Sequence, residues 1–493
     1  MTTIFEPRAD DGAFVLPGAT IAGVAQRAVD VRDTTPIYNA ATGVVIGWQE
    51  HANVAQIDDA VRAARTALPR WRATTPASRG QILKRIAELI EHSRDRLVGA
   101  QMRVSGKPPL EAEQDVSDAV ATFDYYAALC DDVGLFAPQT VSLPDKTVAG
   151  QRYYDAVGVA ALIVPWNFPM VTTAWKMAPA LAAGCTVVLK PSELTSPVEH
   201  MLVGLLAEAG VPDGVVNMVN GGAAVGTQLV EHPLVDKVSF TGSTEVGKRV
   251  MRAAANDMKR TTLELGGKSA LIVRADADLD SAVSLAVSGA FGNAGQMCSA
   301  TARILVQDQV YNEFLAKLEA AVGALMVAPP MRAGVSMGPL VSASHLVRVR
   351  AMLDAGISDG AAVAFSGRLD ESCGKGFFLP PMVVTDPDVD NVLWTDEVFG
   401  PVACVKSFHT DDEAIQIANS TRYGLVATVL TADASAAKRY QYSLRAGLVW
   451  INTPQLIFPQ LCWGGLGLSG IGRELGVEGL RSYQELRHTL SAI

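Results

Sequence analysis

The stretch Val157–Lys190, VGVAALIVPWNFPMVTTAWKMAPALAAGCTVVLK, decides the fold. It opens with an apolar run that breaks at Pro165, continues at helical spacing over about 172–183, and closes with a second short run, TVVLK. Short apolar runs bounded by Gly and Pro read as strands buried on both faces, and a helix between two of them makes a parallel βαβ unit. The rhythm repeats outward with a helix near 197–210, VVNMV at 215–219, a further helix, and KVSFTG at 237–242. The expectation is an α/β protein with a Rossmann-type parallel sheet covered by helices. A second α/β series runs from after Ser269 to about Asn452. Upstream, Val54–Met102 carries amphipathic helices in which Ile82, Ile86, Leu89 and Ile90 form one stripe, a packing face without chemistry.

At 493 residues the chain exceeds what one compact core supports, so two or three domains are expected. Its 41 basic and 51 acidic residues give a net charge of −10, and no Lys/Arg patch offsets it, which argues against a nucleic-acid partner. The amino terminus, MTTIFEPRADDGAFVLP, lacks the basic-then-apolar layout of a secretory signal and predicts cytoplasmic residence. Val157–Val164 ends at Pro165 and is far too short to span a bilayer, so no membrane association is expected. The six cysteines are scattered, without a CxxC pair or histidines at ligand spacing, which predicts reduced thiols and no metal.

Chemistry enters with FGNAGQMCSATA at 291–302 and LELGGKS at 263–269. A lone cysteine is usually a small buried hydrophobe. Cys298 together with a glycine-flanked carboxylate, Glu264, instead reads as a sulfur nucleophile with a base, acting covalently on a carbonyl. In PWNFP at 165–169, two prolines restrict the turn so that Asn167 is held at a strand's carboxyl end, where its amide and the Cys298 backbone N–H form an oxyanion hole. A purely structural turn asparagine is the plainer alternative.

LKPSE at 189–193 places Lys190 and Glu193 where an adenosine ribose lies across a parallel sheet. A carboxylate there accepts from a free 2′-hydroxyl and repels a 2′-phosphate, which favours NAD over NADP; a helix-capping glutamate is the bland reading. In FTGSTEVG at 240–247 a strand yields to a glycine and Ser243 at a helix start, where free N–H groups attract a pyrophosphate, although such a turn alone is a weak signal. DEVFGP at 396–401 offers Glu397 for the nicotinamide ribose; out of context it reads as a solvated turn acid.

These motifs, with WGGLGLSGIGRE at 463–474, resemble the aldehyde dehydrogenase superfamily in order and spacing over nearly the whole chain, and within it the NAD-dependent, hydrolytic branch. The resemblance implies an NAD-binding domain over 1–138 and 154–265, a catalytic domain over 266–462, and a small β oligomerisation element from 139–153 and 478–493 that makes a homodimer or homotetramer. It implies Cys298, Glu264, Asn167 and Lys176 as the catalytic group. Trp166, Lys190, Glu193, Gly242, Ser243, Leu265, Glu397 and Phe399 are then the cofactor residues. Asp396 stands where many relatives carry a glutamate. The implied reaction oxidises an aldehyde through a cysteine thiohemiacetal and thioester to the acid, and the retained Glu264 argues against a coenzyme-A-acylating variant.

Substrate residues are also transferred by resemblance. Trp175 occupies the place of an arginine in succinate-semialdehyde-type relatives, which removes the partner of an acidic substrate. Asp115 and Asp118 in EQDVSDAV lie one helical turn apart and resemble the acidic pair that aminoaldehyde enzymes direct at an ammonium; with Phe168, Trp175 and Trp463 they would form an aromatic-acidic funnel. PQLCWGG and GQMCSATAR look closest to the betaine-aldehyde and aminoaldehyde branch. Gly292 stands where plant members carry a second tryptophan, and Leu448 and Leu456 would broaden the pocket, so a general aliphatic or aromatic aldehyde is the alternative substrate. A catalytically silent binding homologue is the non-enzyme alternative, and the presence of Cys298, Glu264 and Asn167 speaks against it.

Overall fold

The computed structural model describes residues 13–28 and 33–493. The reading of the extreme amino terminus, residues 1–12, lies outside the described residues. Among the described residues the strands form four sheets, and two of them carry the site.

The first has eight strands in the order Gly470–Ile471, Arg260–Glu264, Lys237–Thr241, Val159–Ile163, Thr186–Lys190, Val216–Val219, Ala19–Ile21, Val24–Gln26. Its five central strands are parallel, and antiparallel strands close both edges. Alternation of side chains sends Ala160 and Leu162 into one apolar layer and Val159, Ala161 and Ile163 into the other, so both faces are covered. Chain order reverses between Val159–Ile163 and Lys237–Thr241, and ligands of such sheets bind beyond the strand ends at that switch point. PWNFP leaves the first of these strands and Gly242–Ser243 leaves the second.

The helix expected near 172–183 begins earlier, at Pro169, because proline is pre-set for a first helical position. Every residue of Pro169–Ala183 is buried, and Gly184 ends it in the left-handed conformation (φ 92°).

The second sheet has seven strands in the order Ala362–Ser366, Met382–Thr385, Val402–Phe408, Arg303–Gln307, Ala270–Val273, Val426–Leu430, Leu448–Ile451, parallel except for the first pair. Cys298 lies on the loop entering Arg303–Gln307, and Glu397 and Phe399 lie on the loop entering Val402–Phe408. Loops leaving the first sheet therefore meet loops entering the second.

After Ile451 the chain returns to the first sheet, where Ile471 and Gly470 pair with Leu263 and Glu264. Val148–Ala156 pairs with Gln139–Val141 on one side and Gln484–Ala492 on the other; residues 478–483, expected in this element, instead finish the helix Gly476–Arg481 and its turn. No helix among the described residues is long and apolar enough to cross a membrane, and no cluster of His, Cys, Asp or Glu there is arranged to hold a metal.

Candidate active site

Between the two sheets runs a cavity of about 790 Å³ whose wall includes Cys298, Asn167, Trp166, Ser243, Glu397 and Phe399. The wall also includes Phe168, Trp175, Trp463, Asp115 and Asp118. The local backbone explains the meeting of Cys298 and Asn167. Asn293 and Ala294 both adopt left-handed conformations (φ 48° and 54°), and for non-glycine residues each costs about 1 kcal/mol or more. Side chains hold that turn: Asn293 Nδ2 donates to the Asn167 and Gln296 carbonyls at 3.1 and 3.2 Å, and Gln296 Nε2 donates back to the Asn293 carbonyl at 2.9 Å. Asn167 Nδ2 donates to the Gln296 carbonyl at 3.0 Å. One of its two N–H groups is thereby fixed, leaving the other for a developing oxyanion.

Cys298 is half-buried, and its thiol is pushed up to about 12, chiefly by burial and next by the Glu397 and Glu264 carboxyls; the Ser299 N–H and its own N–H pull the other way. Burial thus disfavours the ionised form of this sulfur before a ligand enters. Burial likewise raises Glu397 to about 7 although its Oε1 accepts the Gly267 N–H at 3.0 Å.

Glu264 does not line the cavity wall. It ends its strand in a buried polar nest, both carboxyl oxygens without a hydrogen bond, and burial with the neighbouring Glu474 holds it well above the usual carboxylate range. Lys176 sits in the same nest, paired with Glu474 and donating to Thr241 Oγ1 at 2.7 Å. Lys176, expected in the catalytic group, therefore lies with Glu264 and Glu474 in the nest and not on the cavity wall. Gly464 makes room for the nest, since a Cβ there would stand 2.8 Å from Glu264 Oε1.

On the cofactor side, Lys190 lies 3.6 Å from Glu193 at the end of Thr186–Lys190, and Ser243 caps the helix Thr244–Ala255. A Cβ on Gly247 would come within 2.4 Å of Leu265, so that helix is pressed against the strand end and offers its first-turn N–H groups there. Trp166 meets Phe399 edge-on at 5.3 Å and His345 at 5.0 Å. A carboxylate beside a strand end, a helix start with free N–H groups and an aromatic, carboxylate-bearing far end suit a dinucleotide.

The substrate side is not as expected. Asp115 is fully buried in an ion pair with Lys107, whose ammonium also stands 3.9 Å from the Phe168 ring centroid. Asp115 is therefore not a free acid, and one face of Phe168 already holds a cation. Asp118 is half-buried, accepts from Gln114 at 2.7 Å, and has no ion-pair partner among the described residues; burial raises it to about 6. Glu111 joins it on the wall, raised by burial to about 7. The sequence reading passed over Glu111, Lys107 and Glu474. Glu111 had a signal, because positions 111, 115 and 118 fall on one helical stripe. Trp175 and Trp463 pack at 5.5 Å. Leu448 packs on this cluster, but Leu456 is 48% exposed and Ile457 lines the cavity in its stead.

Residues 28–489 match the profile of the aldehyde dehydrogenase family. The chain belongs to that family. It is 41% identical to betaine aldehyde dehydrogenase 1 of Oryza sativa over 92% of this chain and 91% of that protein. It is 40% identical to the peroxisomal aminoaldehyde dehydrogenase 2 of Pisum sativum over 93% and 92%. Betaine aldehyde dehydrogenase from Staphylococcus aureus, solved in complex with NAD+, superposes with a TM-score of 0.93 at 36% identity, covering 96% of this chain and 94% of that one. The protein is thus an aldehyde dehydrogenase, an NAD-dependent oxidoreductase that converts an aldehyde to its acid.

Proposed function

We propose that this aldehyde dehydrogenase acts on cationic aldehydes, betaine aldehyde or an aminoaldehyde. The observation that carries the reading is Asp118, an unpaired half-buried acid on a funnel walled by Trp175 and Trp463. An ammonium there meets a carboxylate in partly desolvated surroundings and aromatic rings beside it. The names of the rice and pea relatives point to the same substrates.

In the reaction, the Cys298 thiol loses its proton to water in the cavity, its sulfur bonds to the aldehyde carbon as the carbonyl π pair moves to oxygen, and the resulting oxyanion is held by the free Asn167 N–H and the Cys298 N–H. NAD+, when bound, supplies the acceptor for the hydride. The thioester left on Cys298 is hydrolysed by a water whose proton goes to Glu264, which swings from its nest towards the cavity while Lys176 and Glu474 hold the charge behind it. Glu193 and Lys190 take the adenosine ribose, Gly242, Ser243 and Leu265 shape the pyrophosphate site, and Trp166, Glu397 and Phe399 set the nicotinamide end.

A broad preference for aliphatic or aromatic aldehydes is the second reading. The mainly apolar wall and the gap at Gly292, where a Cβ would meet only Met297, favour it. Steady-state kinetics on betaine aldehyde, 3-aminopropanal, 4-aminobutanal, hexanal, benzaldehyde and succinate semialdehyde separates the two. We expect kcat/KM for a cationic aldehyde at least ~10-fold above hexanal, and Asp118→Ala to remove most of that advantage, about 1–2 kcal/mol. Equal efficiency for hexanal, or indifference of the cationic substrate to Asp118→Ala, supports the second reading; preference for succinate semialdehyde overturns both.

The strand Gln484–Ala492, with Leu486 and Leu490 exposed on a sheet edge, is the surface through which we infer a homodimer or homotetramer. Six free cysteines are in keeping with a reducing compartment, and we place the protein in the cytoplasm, although curated relatives in pea and Arabidopsis thaliana are peroxisomal and chloroplastic.

A further inference from the structure

A carboxylate ties the substrate funnel to the catalytic loop. Glu111, in the first turn of the helix Pro109–Leu129, accepts the Asn293 backbone N–H at 2.8 Å. Asn293 opens the left-handed pair that the chain must hold from outside, and its side chain grips both the Asn167 and the Gln296 carbonyls. Gln296 in turn is anchored through Oε1 to the Val341 N–H at 2.9 Å. The oxyanion donor and the nucleophile two residues beyond Gln296 are therefore placed by one turn of backbone, and the amide that begins it rests on Glu111. The second carboxyl oxygen, Oε2, is buried without a hydrogen bond in a residue of the cavity wall.

The geometry points to Glu111 as a positioning residue for the oxidation of every aldehyde the site accepts, clamping the Asn293 turn so that Asn167 and Cys298 stay in register. A carboxylate is a stronger acceptor for that N–H than a neutral oxygen. Removing it strands a buried amide and lets the strained pair relax, and displacements of about 1 Å at a reacting centre cost on the order of 100-fold in rate. The charged groups around it are the Lys107–Asp115 pair and Asp118 on the same helical face; burial, the largest influence, brings Glu111 to about 7. The ionised clamp therefore strengthens as pH rises through neutrality.

The test is the single-turnover rate of NADH formation, which precedes thioester hydrolysis, for Glu111→Ala and Glu111→Gln with saturating NAD+. A neutral aldehyde, hexanal, and a cationic one, 3-aminopropanal, are compared. We expect Glu111→Ala to lose about 10- to 100-fold in maximal rate with both aldehydes, while its KM for hexanal changes by less than about 3-fold. Glu111→Gln, which keeps an acceptor, should recover most of that loss, and its rate divided by that of the natural protein, a ratio in which the titrations of Cys298 and Glu397 cancel, should fall as pH rises through about 7. An unchanged maximal rate with hexanal, or a defect confined to the KM for 3-aminopropanal, overturns the proposal. Should Glu111→Ala prove unfolded by thermal melting, a pH profile of Glu111→Gln identical to the natural one overturns it equally. The loss is expected with the neutral and the cationic aldehyde alike, so this result stands apart from the substrate reading.

Discussion

Cys298 lies in a pocket walled by Glu397, and the charges of Glu397 and of Glu264 in its nest add to burial in raising the thiol. With a thiol raised to about 12, alkylation of the cofactor-free enzyme by iodoacetamide should accelerate steadily with pH and show no plateau below about pH 10, since the thiolate is the reactive form. Replacing Glu397 by Gln removes a like charge, lowers the thiol pKa, and should hasten alkylation several-fold at pH 8; a slower rate would refute the electrostatic assignment. Cys298→Ala should abolish turnover, whereas Glu264→Gln should release one equivalent of NADH and then stall as a thioester detectable by mass spectrometry. Steady turnover by either variant would contradict the assigned roles. The residues found from sequence share a property: Cys298, Asn167 and Glu264 sit in short motifs whose Gly and Pro neighbours announce an unusual backbone. Lys107 and Glu474 also stand near Gly and Pro, Gly106 and Pro108 for the one and Gly472 for the other, but their role depends on a partner that the local motif does not name. Their partners, Asp115 and Lys176, are supplied by folding, and for Glu474 the partner comes from the far side of the chain.

At the scale of elements, the approach of the helix Thr244–Ala255 to Leu265 decides how well the cofactor site is formed. Gly247→Ala raises intrinsic helix propensity by about 1 kcal/mol but drives a methyl to 2.4 Å from the Leu265 side chain. Overpacking of that kind typically costs about 1–3 kcal/mol. We expect stability unchanged or lowered by up to about 2 kcal/mol, with NAD+ affinity weakened about 10-fold by fluorescence titration, and unchanged affinity would show that Leu265 yields freely. Strands and helices around this site were legible because parallel strands buried on both faces are unbroken apolar runs: Val159–Ile163, Thr186–Lys190 and Lys237–Thr241 lie within the quoted stretches. The two-residue strand Gly470–Ile471 was not, because nothing local distinguishes it from a glycine-rich turn and its pairing is set by a partner some 200 residues away.

For the molecule as a whole, the edge strand Gln484–Ala492 pairs along its full length with Val148–Ala156 on one side only. Leu490→Glu, at a residue 69% exposed, puts a charge on the surface inferred to join subunits. Light scattering should then report a shift towards the monomer mass with aldehyde oxidation by the remaining oligomer intact; an unshifted mass would move the interface elsewhere. The return of the chain to the first sheet has a further consequence for dissection of the protein. A fragment ending at residue 265 would leave Arg260–Glu264 as a bare hydrogen-bonding margin, inviting self-association. The glutamate would also be stripped of the Lys176–Glu474 couple, since Glu474 arrives only with the carboxyl-terminal return. The half ending at residue 265 is therefore not an autonomous module, and the surroundings of Glu264 are complete only after residue 474 has left the ribosome.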